Sequence, residues 1–267
     1  MRTLETLKEA DVICAEDTRV TGKLLAAYEI KKPLERLDEN TLAKGTHDIM
    51  ERVLSGEVIA YCSDAGMPGV SDPGARLVKD ARLAGIPVEV LPGANAVTLA
   101  FVAAGFMVPQ FYFGGFFPRK DGEREDVLSN LMSLDAALVF YESPKRLSSS
   151  LELIARELPY RRVAVCRELT KMHEEVFVDT SGKVAEEFKR RESEEGIRGE
   201  IVLVIDVASV EEKEARASVA SKEATWYAQR LAQEGGHSKK DIAKCLQERF
   251  GISRNEAYEI ALSSHHQ

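Results

Sequence analysis

Apolar residues fall into short runs separated by stretches of helical spacing, and the alternation persists for most of the chain. The runs Asp11–Ala15, Val58–Cys62, Val88–Leu91, Phe111–Phe116, Ala137–Tyr141, Val163–Cys166, Val176–Asp179 and Glu200–Asp206 read as strands. Between them, Thr21–Tyr28, Thr41–Leu54, Gly74–Ala84, Asn95–Ala104, Glu123–Met132, Lys145–Glu157 and Val184–Glu192 carry helical periodicity. This predicts an α/β fold with mostly parallel sheets, and the continuous apolar strands predict helices on both faces. The chain opens inside a helical pattern (Leu4, Leu7, Lys8, Ala10) that leads straight into a strand. The strand that normally starts a βαβ sheet is therefore expected to be missing.

Met107-Val108-Pro109-Gln110, after a helix-ending Gly105, predicts a joint between an N-terminal α/β domain (1–108) and a C-terminal one (109–207). Ser209–Ala217 is charged and aperiodic and reads as a linker. The segment 216–264 reads as a helical extension, with a helix from about Ser221 to Glu234, a Gly235-Gly236 break and two short helices. Ser238-Lys239-Lys240-Asp241 and Ser253-Arg254-Asn255-Glu256 both have capping-box spacing around a Phe250-Gly251-Ile252 turn. A plain helical hairpin and a helix-turn-helix both fit, and the pattern by itself favours the hairpin.

With 267 residues, 44% of them hydrophobic, the chain can bury two cores. No apolar run approaches the roughly 18 residues of a membrane span, and the N-terminus lacks a signal-peptide core, so a cytoplasmic protein is expected. Cys14, Cys62, Cys166 and Cys245 are scattered, and His265-His266 reads as a solvated tail, so no metal is predicted. A net charge of -8 argues against a surface that coats nucleic acid. Residues 216–264, however, carry eight Lys/Arg against six Asp/Glu, leaving -10 on the remainder. Any RNA contact is expected to be local.

Chemistry concentrates at strand ends. Ser63–Gly74 places three glycines and two prolines in twelve residues between a strand and a helix, and Leu91–Ala96 repeats the design one strand later. Such loops let backbone amides approach a ligand, and two of them on adjacent strand ends predict one cleft. Neither loop is a dinucleotide or phosphate-loop motif. Ala15–Arg19, Tyr141–Arg146 and Arg167–Lys171 each set carboxylates beside basic groups at further strand ends. Helix capping by Asp17 or Thr18 with a local ion pair explains the first of these equally well.

Taken in order, Ala15–Arg19, Ser63–Gly74, Leu91–Ala96, Phe113–Phe116 with Pro118, Phe140–Arg146, Arg167–Lys171 and Gly199–Leu203 resemble the ribosomal RNA small subunit methyltransferase I family. That family is one of the tetrapyrrole-methylase-like methyltransferases. The resemblance implies S-adenosylmethionine as cofactor and 2'-O-methylation of a cytidine ribose in the decoding region of 16S rRNA, within the small ribosomal subunit, by a homodimer. It implies that Asp64, Ala65, Gly66, Val70 and Pro92, Gly93, Ala94, Asn95, Ala96 hold the cofactor from one side. Glu142, Leu169, Gly199 and Glu200 would close the other side, and the C-terminal helices would be an RNA-contacting extension.

Methyl transfer to a hydroxyl needs alignment and a proton acceptor, for which Glu16, Asp17 and Lys171 are candidates, the lysine only with a lowered pKa. Arg19, Lys145 and Arg146, and in the extension Lys239, Lys240 and Arg254, suit RNA phosphates. Phe113, Phe116 and Tyr141 could stack bases, although burial in strands is the expected reading. The chain departs from the family in lacking its first strand and its Thr-Pro-Ile-Gly-Asn-Leu type loop. Leu37-Asp38-Glu39-Asn40 also stands where the family carries histidines, so Asp38 or Glu39 would substitute for them. Tetrapyrrole methylation and a non-catalytic RNA-binding homologue are the alternatives.

Overall fold

The computed structural model describes residues 2–64, 66–234 and 237–264, without the side chains of residues 39, 40, 42–44, 216, 217 and 220. Ala65, the Gly235-Gly236 break, the Glu39 side chain and the His265-His266 tail thus lie outside the described residues. The elements of the first half are α1 (Arg2–Glu9), β1 (Val12–Ala15), α2 (Thr18–Ala27), β2 (Leu34–Arg36), α3 (Glu39–Leu54), β3 (Ile59–Cys62), α4 (Gly74–Leu83) and α5 (Ala96–Ala104). Then come β4 (Phe111–Phe116), α6 (Asp121–Leu131), β5 (Ala137–Glu142), α7 (Leu147–Glu157), β6 (Arg162–Arg167), β7 (Glu175–Thr180), α8 (Ser181–Glu194) and β8 (Ile201–Ile205). Three helices end the chain: α9 (Val210–Glu234), α10 (Lys239–Phe250) and α11 (Arg254–Ser263).

The first sheet has the order β2-β1-β3, all parallel. Its centre is β1, whose Val-Ile-Cys-Ala is buried throughout, as a strand covered on both faces must be. β2 escapes the apolar pattern because Glu35 and Arg36 make up most of it; an edge strand needs a backbone ladder on one side only. Val88–Leu91, expected as a strand, is not one. It makes no backbone–backbone hydrogen bond and has no strand partner among the described residues. It is held by side chains instead, Val88 packing against the core cluster that contains Val12, Cys14 and Ile49 while Val90 stays 60% exposed.

The second sheet has the order β4-β5-β8-β6-β7. The expectation of mostly parallel pairing is corrected here, since only β4 and β5 pair in parallel, while β8 runs antiparallel to β5 and β6, and β7 to β6. The segment between β6 and β7 is too short for a crossover helix, which forces the antiparallel pair. β7 and β8 then run the same way, joined by α8 as in a βαβ unit. This register sets Glu142 at the end of β5, Arg167 at the end of β6 and Ile201 at the start of β8 side by side.

One face of this sheet buries Phe117, Leu128, Leu147, Leu151, Ile154 and Phe188. The other face receives α5, whose Val97, Ala100 and Ala104 lie on Ala137, Val139, Ala164, Cys166, Val202 and Val204. The alanines on both partners let helix and sheet approach closely. α5 begins at the Leu91–Ala96 loop, so this contact ties the first half's loops to the second sheet.

Ser209–Ala217 is not a linker, because α9 already starts at Val210. The Ser209 Oγ accepts from the Glu212 N–H at 3.1 Å, a cap at the same spacing that marks α10 and α11. The Glu212 carboxylate is itself buried against Arg161, with Arg161 Nε 3.0 Å away. The guanidinium also donates to the carbonyls of Asp206 and Met132, so the buried charges are both paired and hydrogen-bonded. Beyond it, Ala224, Ala228 and Leu231 of α9 share a core with Ile242, Leu246, Ala257 and Ala261, making a three-helix unit rather than a bare hairpin. Ser238 forms a full capping box with Asp241, and Ser253 caps the Glu256 N–H one way. Among the described residues no helix is long and apolar enough to cross a membrane.

Candidate functional site

Two predicted loops meet at the carboxyl ends of β1 and β3. The Asp17 N–H donates to Asp64 Oδ1 at 2.9 Å, which pins the β1–α2 turn to the β3–α4 loop. Asp72 braces that loop from inside, its carboxylate accepting from the N–H groups of Gly69 and Gly74 at 2.8 and 2.7 Å. Gly66 has φ 82° and sits so near the next loop that a Cβ there would lie 3.3 Å from the Ala94 carbonyl. A Cβ on Gly93 would meet Met67 Sδ at 3.6 Å. The two glycine-rich loops are thus in contact, as one cleft requires. Asn95 then starts α5 by accepting from the N–H groups of Val97 and Thr98. Pro92, Gly93 and Ala94 are exposed, with Val70, Asn95 and Ala96 half-buried behind them.

The proton-acceptor candidates separate clearly. Asp17 is the N-cap of α2, and its carboxylate is bound by Arg19, with Nη2 2.6 Å away. The hydrogen bond from the Arg19 side chain holds the Asp17 carboxyl far below the usual carboxylate range, which makes it a poor base. Arg19, expected to meet phosphate, is 87% exposed but already engaged by this pair. Lys171 lies 3.0 Å from both Glu168 and Glu200. Their carboxylates, Glu168 first, raise its pKa above the usual lysine value, so the lysine is a fixed cation and not the base that a lowered pKa would have made it. Glu16 is different. Its carboxylate has no ion-pair partner among the described residues and accepts only a long 3.5 Å bond from the Asp64 N–H. Asp38, the expected substitute for a histidine, caps α3 and pairs with Arg36 at 2.7 Å.

On the second sheet, Leu169 packs into the same cluster as Ala96 and Val97, which brings the β6–β7 turn to the base of α5. Glu200 remains 74% exposed, and Gly199 takes φ 98°. Two side chains here are engaged within the protein. The Glu142 carboxylate is fully buried, bound by Arg146 Nη2 at 2.6 Å, the Ser143 N–H at 2.6 Å and Ser150 Oγ at 2.5 Å. It therefore has no free oxygen to offer a cofactor, and only its backbone can line a cleft. Arg146 completes the pair by donating to the carbonyls of Phe117 and Pro118, so its guanidinium is engaged within the protein. Lys145 beside it is exposed. Lys239, Lys240 and Arg254 stand at the first positions of α10 and α11, on the three-helix unit. Phe113 and Phe116 both pack edge-on to Tyr141, at 5.0 and 5.3 Å, and Phe116 is 61% exposed rather than buried.

Two features were not singled out from sequence. The Tyr61 hydroxyl is buried beneath the Ser63–Gly74 loop without a hydrogen-bond partner among the described residues. Burial, together with the charges of Asp72, Glu16 and Asp64, pushes its pKa up. Glu168 and Thr170 both adopt left-handed backbone, φ 49° and 66°, in which a non-glycine residue costs about 1–3 kcal/mol. The only sequence signal for the latter is a dense set of charges between two apolar runs.

The donor set suits a cationic sulfonium with adenosine and amino-acid ends. Glycine backbone is exposed at Gly66 and Gly93, half-buried apolar surface lies at Val70 and Leu169, and carboxylates stand at Asp64 and Glu200. The model of the tetrapyrrole (corrin/porphyrin) methylases matches residues 1–185. Solved structures of the methyltransferase CobJ (TM-score 0.55, 20% identity, 76% of this chain and 86% of that one) and of diphthine synthase (0.57, 15%, 77% and 83%) share the fold. The chain belongs to the tetrapyrrole methylase family. More narrowly, it is 38% identical over 266 residues to ribosomal RNA small subunit methyltransferase I of Bacillus subtilis (strain 168), covering 97% of this chain and 87% of that protein. It is 42% identical over 205 residues to the protein of the same name from Thermotoga maritima, covering 77% and 90%. It is thus a member of the ribosomal RNA small subunit methyltransferase I group, a methyltransferase with S-adenosylmethionine as cofactor.

Proposed function

We propose that this chain methylates ribosomal RNA of the small subunit, at the 2'-hydroxyl of a cytidine ribose in the decoding region of 16S rRNA. The carrying observation is the 38% identity to a protein named ribosomal RNA small subunit methyltransferase I, spread over 97% of the chain and including every loop described above. The protein would work in the cytoplasm, where that substrate is.

Asp64, Gly66, Val70 and the Pro92–Ala96 turn hold the cofactor from one side, and Leu169, Gly199, Glu200 and the backbone at Glu142 from the other. When bound, S-adenosylmethionine supplies a methyl group already activated by a sulfonium. The residues of the chain then have to align the ribose hydroxyl and accept its proton. Glu16 is the acceptor, because its carboxylate is the one of the three candidates without an ion pair among the described residues. Lys171 serves as a fixed positive charge. Lys145, with Lys239, Lys240 and Arg254 on the C-terminal unit, contacts phosphates, and the exposed Phe116 offers a stacking face for a splayed nucleotide.

A homodimer fits the surface. From Val90 to Pro118 the chain has no charged residue, yet Val90, Leu99, Val102, Met107 and Phe111 are exposed there. A two-fold contact sets each patch against its own copy, and an uncharged patch does so without like-charge repulsion.

Labelled methyl from S-adenosylmethionine is expected to appear in 16S rRNA when small-subunit particles are supplied. Transfer to a tetrapyrrole instead would replace the substrate, and cofactor binding without transfer to either would favour a binding role. Glu16→Gln is expected to lower kcat by about 100-fold or more, with the KM for cofactor within about twofold; an unchanged kcat would remove Glu16 from the chemistry. Sedimentation is expected to show a dimer that Met107→Glu with Val102→Glu converts to monomer, and a wild-type monomer would refute the proposed face.

A further inference from the structure

Glu168 belongs to none of the roles assigned so far, yet three elements of the second side of the cleft converge on it. Its Oε1 accepts from the Glu200 N–H at 2.8 Å and from Lys171 Nζ at 3.0 Å. Its own N–H donates to the Glu200 carbonyl at 2.9 Å, and its carbonyl accepts from the Lys171 N–H at 3.0 Å. Its side chain is 20% exposed and rests on Gly199 so closely that a Cβ there would fall 2.5 Å from Glu168 Cγ. Gly199 therefore leaves the space that the Glu168 stem fills.

We infer that Glu168 is the positioning residue of this side of the cleft: one carboxylate fixes the Glu200 backbone and orients the Lys171 ammonium, so that Leu169–Lys171 and Gly199–Glu200 present a single surface. The left-handed backbone at Glu168 is the means. Reversing the chain there turns the carboxylate back across the start of β8 instead of out to solvent, and the left-handed Thr170 brings Lys171 round onto the same oxygen. The Thr170 N–H, which no strand satisfies, is met by the Glu174 carboxylate at 2.5 Å, alongside the backbone bonds from the Lys171 N–H to Glu168 and from the Glu174 N–H to Lys171. The two interactions of Glu168 are chemically separable. An amide oxygen can still accept from the Glu200 N–H, whereas the pairing with Lys171 needs the charge. The charge works in both directions, since the Glu200 N–H and Lys171 lower the Glu168 pKa while Glu168 raises that of Lys171.

The inference rests on the cofactor reading of this cleft, so its test has a readout independent of the cofactor. Glu168→Gln and Glu168→Ala would be compared with wild type by thermal melting, by titration of reductively 13C-methylated Lys171 followed by NMR, and by S-adenosylhomocysteine binding. In both variants Lys171 is expected to titrate at lower pH than in wild type. Glu168→Gln should bind S-adenosylhomocysteine within about twofold of wild type, and Glu168→Ala about tenfold more weakly, the scale of one charge-assisted hydrogen bond. Lys171 titrating identically in all three proteins would overturn the inference. So would folded Glu168→Ala with wild-type affinity, or Glu168→Gln as impaired as the alanine variant. Absence of binding by wild type would fault the cofactor reading instead, and the Lys171 titration would still decide whether Glu168 is the clamp.

Discussion

The packing of α5 against the second sheet is the contact on which the site depends. α5 grows out of the Pro92–Ala96 turn, and its buried face of Val97, Ala100 and Ala104 lies on strands β5, β6 and β8. Because the facing positions include Ala137 and Ala164, the helix sits close, and a larger residue in either row would push it away. Leu169 joins the same cluster, so one apolar contact positions a glycine loop from the first half and the β6–β7 turn from the second. Cleft geometry is thereby set by a core rather than by the loops themselves.

Around this anchor the polar groups fall into two kinds. Glu142 and Arg161 with Glu212 are buried, Arg146 and Asp72 half-buried, and all are satisfied within the protein, where losing one partner would leave an uncompensated charge or carboxylate. Glu16, Asp64, Lys145 and Glu200 stand at strand ends with exposed or lightly bonded groups, and these are the ones that can meet a ligand. Residue type does not distinguish the kinds. Arg146 and Lys145 are adjacent cations at the end of one strand, yet one braces two backbone carbonyls and the other faces solvent.

That difference explains which parts of the molecule could be read from sequence. Strands β5, β6 and β8 were legible because burial on both faces demands unbroken apolar runs. The glycine loops were legible because backbone conformation selects residue type directly. β2 was not, since a short edge strand tolerates Glu35 and Arg36. Val88–Leu91 has the right residues, but strand formation also needs a neighbour to pair with, and periodicity does not report neighbours. The beginning of α9 was masked by its charges, although Ser209 and Glu212 carried a capping signal, because its order depends on Arg161 far away in sequence. The direction of β7 and β8 follows from the short connection after β6, a constraint of length rather than of pattern. At the site, the internal pairing of Glu142 with Arg146 was not legible for a related reason: burial decides whether an ion pair is structural.

In the proposed function, loops from both sheets form one cofactor cleft across α5. Hydrogen–deuterium exchange with and without S-adenosylhomocysteine tests it most directly. Protection is predicted to rise together in residues 63–74, 91–96, 167–171 and 199–200, with little change in 22–34, which spans the end of α2 and the connection to β2. Protection confined to one sheet's loops, or centred on 22–34, would contradict it.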